Sequence, residues 1–538
     1  MFLPDPFYDS CDELGIMVYH DMQYAQHGHA PVANADQDAE LRHQVRRLSH
    51  HPGIVLWDGC NECTVILDTP TGIYASFVMT VVAQEDKSRS IWPSCPARGW
   101  TKGVDRLTSR PLPNTPSTAN STHPVLQSAL DTPRNAAIIE THGHYQHGTG
   151  FSANNDPDGK AAPFNANIPV VFDPRTPTGL GVPSIFASEF GCVVMSSFES
   201  MSATLAPSSW SVHGGMAPDD CSAGELQSCP LRQCVPKAAQ HNPMAYRNYP
   251  CDSIIQTYFG GTSADLDRVG EFAFKKQLWQ CMMGQALEMK SNIENRRSGN
   301  THGLIVWQFN EIWPTGGWGS VEYGCRNCSG QVLGGRWKPL HHFYEQSIMT
   351  DVTVACGIDG QTKRWFCYVK NDIALPFSGT LRVQYLQFAT GKRSSVIDER
   401  LVLSTGPAVT SWFAAPALGA LNGTEGVVHA QVLGTDGTVV CDNVIALAIP
   451  AEMNLPAANV SVTVLDVGPD GTARLAISST AVALWVTLTT LADGRFRPNV
   501  FLLDGSGSQT VDFIPFGGAV DMDALRNTVR VEHAGQYA

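Results

Sequence analysis

The chain has 538 residues, of which 43% are hydrophobic and 16% are charged. A chain of this length and composition can bury a large core, which excludes a disordered acidic or basic polymer. Its 36 basic and 50 acidic residues give a formal net charge of −14, so we expect neither nucleic acid nor an anionic membrane surface as a partner. No apolar run reaches the roughly 20 residues that a membrane-spanning helix needs.

The N-terminal part alternates short apolar runs with helical patterns. A helix over residues 7–14 is predicted to end at Gly15 and to be followed by a strand over 16–19. Asn34 and Gln37 have the spacing of a capping box, which predicts the start of a second helix. The continuous apolar run 54–57 is typical of a buried parallel strand.

The same alternation continues toward the middle of the chain. Six buried strands that alternate with helices predict a parallel α/β architecture, with the functional residues at the carboxyl ends of the strands. Long loops over 96–135, 148–180 and 203–250 are predicted to border that site. The remaining predicted elements are a helix over 74–83, strands at 91–92, near Ile139, at 185–187 and at 304–307, and a long helix over 265–293.

Beyond about residue 340 the pattern changes to β-forming runs separated by turns. Asp436-Gly437 is a hairpin signal, and Asp493-Gly494 predicts another turn. We predict two immunoglobulin-like β-sandwich domains, at 346–450 and 451–538, after an α/β domain over 1–345.

Several motifs resemble a known enzyme family. The segment 49–62, which ends in Asn61-Glu62, resembles the strand-four segment of glycoside hydrolase family 2. The segment 185–191, Ile-Phe-Ala-Ser-Glu-Phe-Gly, is similar to the nucleophile segment of the β-mannosidase branch of that family. Segments 8–16, 307–314 and 335–340 are similar to further landmarks of the branch, in the same order.

The resemblance implies an incomplete (β/α)8 TIM barrel with about six of its eight strands. Residues 1–15 correspond to the helix that leads into strand three, so the resemblance implies an N-terminally truncated member of the family. An inactive remnant is therefore an alternative to an active enzyme. Cys60, where asparagine is usual, and Glu311, where aspartate is commoner, depart from the family pattern.

The resemblance also implies roles for individual residues. A retaining glycosidase needs two carboxyl groups about 5 Å apart, one as acid/base and one as nucleophile. Glu62 is implied as the acid/base and Glu189 as the nucleophile. The alternative interpretation of each glutamate is a solvated residue, which is the commoner role of a lone glutamate after a strand. Asn61 is expected to bind the sugar 2-hydroxyl.

Three more residues are candidate substrate-binding residues. Trp307 is expected to form an apolar platform for the sugar ring, and its alternative interpretation is a core aromatic residue. Tyr145, or a histidine beside it, is expected to contact the nucleophile. Asp21, at the end of a predicted strand, has two equally supported interpretations: it orients other site residues, or it makes a structural hydrogen bond.

The implied activity is a retaining exo-glycosidase that releases terminal non-reducing β-D-mannose from oligosaccharides and glycoproteins. The alternative specificities are β-galactosidase and β-glucuronidase. The implied substrate is a β-mannoside oligosaccharide, and no cofactor is expected.

Several histidines and cysteines are candidate metal ligands, and some of the cysteines are also candidates for disulfides. His142, His144 and His147 form a cluster, and Cys60/Cys63 and Cys325/Cys328 have C-x-x-C spacing. We predict no metal site, because neither cysteine pair has a matching second pair at zinc-finger distance. Cys356 and Cys367 have a spacing compatible with a bridge between adjacent strands.

Four glycosylation sequons favour a protein of the secretory route, lysosomal or extracellular, although residues 1–6 show no signal-peptide pattern. The sequons begin at Asn120, Asn327, Asn422 and Asn459.

Overall fold

The computed structural model describes residues 2–25, 34–62, 77–92, 95, 138–146, 166–212, 251–312, 314, 316–326, 332–403 and 408–537. The chain forms two compact units. Unit 1 contains Met1–His144, Gly181–Phe190 and Asn300–Val306, and unit 2 contains Tyr145–Leu180, Gly191–Gly299 and Trp307–Ala538.

The helices of the described residues, in chain order, are α1 (Asp5–Leu14), α2 (Ala35–Leu48), α3 (Met79–Glu85), α4 (Phe198–Met201), α5 (Cys251–Phe259), α6 (Ser263–Asp267), α7 (Glu271–Ser298), α8 (Pro339–Phe343), α9 (Met522–Thr528) and α10 (Ala534–Tyr537). None of them is long and apolar enough to cross a membrane.

The strands are β1 (Val18–Asp21), β2 (Ile54–Asp58), β3 (Ser90–Trp92), β4 (Ile138–Gln146), β5 (Val171–Phe172), β6 (Ser184–Cys192), β7 (Thr301–Leu304), β8 (Gly324–Arg326), β9 (Val332–Gly334), β10 (Val352–Asp359), β11 (Trp365–Asn371), β12 (Phe377–Gln387), β13 (Arg393–Leu403), β14 (Thr410–Ala414), β15 (Gly426–Gly434), β16 (Val439–Ile445), β17 (Val460–Val467), β18 (Ala473–Ser479), β19 (Ala483–Thr489), β20 (Gly494–Arg497), β21 (Phe501–Leu503), β22 (Ser508–Pro515) and β23 (Arg530–Glu532).

In unit 1, β1, β2 and β3 pair in parallel in that order. Helix α1 ends at Gly15, which adopts the left-handed φ of 69° that glycine tolerates best. Helix α2 begins after Asn34, whose side chain accepts a hydrogen bond from the Gln37 backbone N–H. The predicted stop at Gly15 and the predicted start at Asn34 are both confirmed.

A second three-stranded sheet of unit 1 has the order β4-β6-β7, with β6 and β7 parallel. Aromatic rings pack between the two sheets. Tyr19 of β1 stacks on Phe186 of β6 with 5.9 Å between ring centroids, and Trp92 of β3 meets the same ring edge-on at 5.6 Å. These contacts bring the strands that end in polar residues to one side of the unit.

Each of the six predicted strands has a counterpart among these elements. The strand predicted at 16–19 lies at Val18–Asp21, and the one predicted at 304–307 lies earlier, at Thr301–Leu304. Within the described residues the six strands form two sheets and not a closed barrel.

The single long helix predicted over 265–293 is wrong in detail. Helix α6 ends at Asp267, and α7 begins after Gly270, whose φ of 119° is incompatible with a continuous helix. Thr262 and Asp265 form a capping box that gives α6 its own start. Helix α7 then runs for 28 residues, most of them buried, as the central helix of unit 2.

The C-terminal part of unit 2 consists mainly of β-strands. The sheets β14-β11-β10-β5 and β13-β12-β15-β16 contribute residues to one hydrophobic cluster, which includes Val354, Val383 and Val432. The sheets β17-β18-β22-β20 and β21-β19-β23 contribute to another, which includes Leu475 and Phe513. The domain limits 1–345, 346–450 and 451–538 remain predictions.

Two local predictions for this part are confirmed. A disulfide joins Cys356 of β10 to Cys367 of β11. Asp436-Gly437 forms the hairpin between β15 and β16, with Gly437 at a φ of 83°. By contrast, Asp493-Gly494 leads from β19 into β20, which belong to different sheets, so it is a turn but not a hairpin.

Several predictions concern residues outside the described part of the chain. They are the loop 96–135, most of the loops 148–180 and 203–250, the sequons at Asn120 and Asn327, and the residues Cys63, Cys328 and His147.

Candidate functional site

The carboxyl ends of β1, β2 and β3 are held side by side beyond the last residues of the strands. Asn61 forms parallel bridges with Ala25 on one side and Cys95 on the other. The Asn61 N–H donates to Tyr24 O at 2.9 Å, and the Glu62 N–H donates to Cys95 O at 2.6 Å. Asn61 and Glu62 therefore lie between the ends of two neighbouring strands, which fixes their backbone.

Glu62 has a φ of 54°, in the left-handed region that a residue with a side chain rarely adopts. Such a conformation costs on the order of 1 to 3 kcal/mol, and residues held in it cluster at functional sites. The backbone hydrogen bond to Cys95 holds the residue there. The strain favours a functional interpretation of Glu62 over that of a solvated loop residue.

His142 of β4 connects residues from three strands. Its Nε2 lies 2.9 Å from Glu62 Oε1. Its Nδ1 lies 3.4 Å from Cys95 Sγ and 3.4 Å from Ser188 Oγ, and the Ser188 hydroxyl donates to Thr141 O at 3.3 Å. One imidazole thus contacts the residues that follow β2 and β3 and a residue within β6.

Glu189 of β6 reaches the same place. One carboxylate oxygen of Glu189, the Cys95 sulfur and one nitrogen of His142 all lie within 4.8 Å of one another. Glu62 and Glu189, 127 positions apart in the chain, therefore both approach the His142 ring.

Several acidic side chains lie near Glu189 and act on one another's pKa values. Burial, and then the Glu189 carboxylate, raise the pKa of Asp21 to about 7. Burial also raises the pKa of Asp58 well above its ordinary value, and the carboxyl groups of Asp21 and Glu140 add to that rise. Carboxyl groups that crowd together in a buried place hold protons near neutral pH. Of the two interpretations of Asp21, its electrostatic coupling to Glu189 favours a role in the site.

The remaining sequence candidates lie in unit 2. Trp307 is 41% exposed and does not have the burial of a core aromatic residue. A Cβ at Gly191 would collide with the Trp307 carbonyl oxygen, so the chain needs glycine two residues after Glu189. Tyr145 lies in β4, and its side chain is outside the described part of the structure.

Cys95 and Ser188 were not among the sequence candidates. Cys95 follows β3 by three residues, and Ser188 precedes Glu189 within β6. Neither carries a spacing signal of its own, because each becomes a site residue only through contact with His142. From the sequence, His142 was a candidate only as a member of the cluster with His144 and His147.

Comparisons with known proteins show what the chain is similar to. Residues 455–536 match the Ig-fold domain family Ig_mannosidase. Beta-mannosidase A of Aspergillus terreus is 25% identical over 72% of this chain, and beta-mannosidase of Capra hircus is 22% identical over 95% of it. The chain spans 38% and 52% of the length of these two relatives.

Two solved structures have a similar fold. Beta-D-mannosidase from Dictyoglomus thermophilum matches with a TM-score of 0.61 and 18% identity, over 99% of this chain and 55% of that one. The exo-chitosanase CsxA of Amycolatopsis orientalis matches with a TM-score of 0.57 and 12% identity, over 99% and 58%. The sequence likeness is thus to β-mannosidases over most of the chain, and the two solved structures share its fold.

Proposed function

We propose that the chain is a retaining exo-glycosidase that hydrolyses terminal β-D-mannosides by double displacement. The observation that carries this proposal is that Glu62, which follows β2, and Glu189, which lies within β6, both approach the ring of His142. Two carboxyl groups on either side of a glycosidic bond are what this chemistry requires. The choice of mannose as the sugar rests on the relatives, which are named as β-mannosidases.

In the proposed mechanism Glu189 attacks the anomeric carbon while Glu62 protonates the leaving oxygen. The sugar is then bound covalently to Glu189, and Glu62 removes a proton from the water that releases it. His142 Nε2 forms a hydrogen bond of 2.9 Å with Glu62 Oε1, which holds the Glu62 side chain in place.

Further residues serve substrate binding in this proposal. Asn61, fixed between the ends of β1 and β3, binds the 2-hydroxyl of the sugar, a contact that strengthens in the transition state. Trp307 offers its exposed ring to the apolar face of the sugar. Tyr145 contacts the nucleophile, and Asp21 contributes a carboxyl group whose pKa responds to the charge of Glu189.

The proposal extends to architecture and location. The strands of unit 1 belong to an incomplete (β/α)8 barrel with about six of its eight strands, in a domain over 1–345 that is followed by two immunoglobulin-like domains. The protein enters the secretory pathway, where Asn422 and Asn459 are glycosylated. Removal of N-glycans by an amidase, followed by mass spectrometry, checks the last point, since glycosylated sequons then appear as aspartate.

The test is hydrolysis of aryl β-D-mannoside by the purified chain, with aryl β-galactoside, β-glucuronide and β-glucosaminide as comparison substrates. We expect the mannoside to be preferred and Glu189→Gln to lower kcat by at least about a thousandfold, because covalent catalysis requires the nucleophile. Glu13→Gln, at an exposed position of α1, is the matched control. Undiminished turnover by Glu189→Gln would overturn the assignment.

A second variant separates the two glutamates. Glu62→Ala should still form the glycosyl-enzyme intermediate from a substrate with a good leaving group, and azide should restore its turnover, because azide attacks without a general base. We expect a β-mannosyl azide product, identified by NMR. A folded wild-type chain that turns over none of the four substrates would favour the inactive-remnant alternative.

A further inference from the structure

Cys95, His142 and Glu189 form a cluster of three different donor types. One donor atom from each residue lies within 4.8 Å of the other two, and Cys95 is buried. The separation of Cys95 Sγ from His142 Nδ1 is 3.4 Å. A tetrahedral zinc ion with its sulfur ligand at about 2.3 Å and its nitrogen ligand at about 2.0 Å keeps those two atoms roughly 3.5 Å apart. The thiol and the imidazole therefore already have the spacing of two ligands of one ion.

The second nitrogen of the ring completes the geometry. A histidine that binds a metal through one nitrogen usually donates its other N–H to a carboxylate, which fixes the ring. His142 Nε2 lies 2.9 Å from Glu62 Oε1. With the proton on Nε2, the lone pair of Nδ1 faces the side of the ring where Cys95 lies.

The chemistry of the donors selects the kind of cation. Thiolate, imidazole and carboxylate together suit Zn²⁺ and similar borderline-soft ions, whereas Mg²⁺ and Ca²⁺ prefer oxygen ligands alone.

We propose that Cys95, His142 and Glu189 bind a zinc-class divalent cation, and that this cation inhibits the chain. Cys95 releases its thiol proton to solvent as the sulfur–metal bond forms, His142 contributes its Nδ1 lone pair, and Glu189 contributes a carboxylate oxygen. A fourth position remains for water. Binding itself is independent of the proposed glycosidase; only the inhibition rests on it, because the metal occupies the nucleophile.

The experiment measures Zn²⁺ binding by equilibrium dialysis after the protein has been freed of metal with a chelator. We expect one tight site in the wild type and at least about tenfold weaker binding by Cys95→Ser, which removes the soft ligand at nearly constant volume. The matched control is Cys441→Ser, another buried free cysteine, which should bind like the wild type. Mg²⁺ should not compete. Equal Zn²⁺ affinity of wild type and Cys95→Ser would overturn the proposal.

A spectroscopic measurement on the wild type avoids dependence on how a variant folds. Co²⁺ bound to a thiolate gives an intense charge-transfer absorption in the near ultraviolet that oxygen and nitrogen ligands do not give. We expect this band in the wild type, with one equivalent of Co²⁺. Its absence at saturating Co²⁺ would overturn the assignment of Cys95 as a ligand.

Activity is then measured for each variant as the ratio of rates with and without Zn²⁺. We expect at least tenfold inhibition of the wild type at saturating Zn²⁺ and a ratio close to one for Cys95→Ser at the same concentration. A chain that binds Zn²⁺ through Cys95 but hydrolyses no β-mannoside would refute the proposed function and leave the metal site standing. A chain that hydrolyses β-mannosides but binds no Zn²⁺ would refute the metal site and leave the proposed function standing.

Discussion

The buried Glu311 and Glu199 of unit 2 and the buried Asp58 of unit 1 have different neighbours. In unit 2, Glu311 accepts a hydrogen bond from Lys338 Nζ at 2.6 Å, and both side chains are almost fully buried. Burial raises the pKa of Glu199, but the charge and hydrogen bonds of Arg530 outweigh it and lower the pKa. In unit 1, burial raises the pKa of Asp58, and the carboxyl groups of Asp21 and Glu140 raise it further.

This difference distinguishes buried carboxylates that have a structural role from buried carboxyl groups that have a functional role. A buried carboxylate that faces a cation is tolerated because the pair compensates part of its lost hydration. Carboxyl groups that face one another resist ionisation and store protons, an arrangement that destabilises the fold and is common at catalytic sites. We therefore expect the loss of the Lys338 charge in unit 2 to destabilise the fold and the loss of the Asp21 carboxyl group in unit 1 to stabilise it.

The largest expected effect is the loss of the cation in unit 2. Lys338→Met leaves Glu311 buried without its partner and should lower the free energy of unfolding by about 3–5 kcal/mol. The measurement is chemical denaturation, with Lys392→Met, at an exposed position, as the control. Lys338→Met combined with Glu311→Met should recover most of the loss. If Lys338→Met alone were as stable as the wild type, the buried pair of unit 2 would not need its cation and the expected difference between the units would be wrong.

The opposite sign is expected for Asp21→Asn in unit 1. The Asp21 carboxyl group has an ordinary pKa of 3.8 and a pKa of about 7 in the fold, so the folded state binds a proton that the unfolded chain releases. The wild type should therefore lose stability as the pH rises from about 4 to about 7, and not below that range. Asparagine removes this loss and should stabilise unit 1 by up to about 4 kcal/mol above pH 7.

Hydrogen exchange of β1 and β2 between pH 4 and 8, corrected for intrinsic exchange rates, measures the effect locally. Asp9→Asn, an exposed residue of α1, is the matched control and should follow the wild type at every pH. Parallel pH profiles for wild type and Asp21→Asn would contradict a raised pKa of this group.

The smallest effect should be equal in both units. Asn34 caps α2 in unit 1 and Asp521 caps α9 in unit 2, each by accepting a hydrogen bond from a backbone N–H of the first turn. Alanine at either position should cost about 1 kcal/mol, measured by hydrogen exchange of the two helices. Asn34→Asp retains the acceptor and should behave like the wild type. Unequal losses would indicate that the units differ in more than their buried charges.

Much of the fold could be predicted from local patterns. The cap at Asn34, the stop at Gly15 and the hairpin at Asp436-Gly437 depend on interactions within a few residues, so their signals are readable in the sequence. The break between α6 and α7 was missed, because the apolar pattern continues through it while the backbone at Gly270 does not.

The sequence by itself determined the positions of the strands, the glutamates at their ends and the resemblance to a family. Only the tertiary structure decided that His142 contacts Glu62, Cys95 and Ser188 together. The physical reason is that a hydrophobic period specifies which face of a strand is buried, but not which strand lies beside it. Cys95 and Glu62, which are 47 and 80 positions from His142, become its neighbours only when β4 packs beside the ends of β2 and β3.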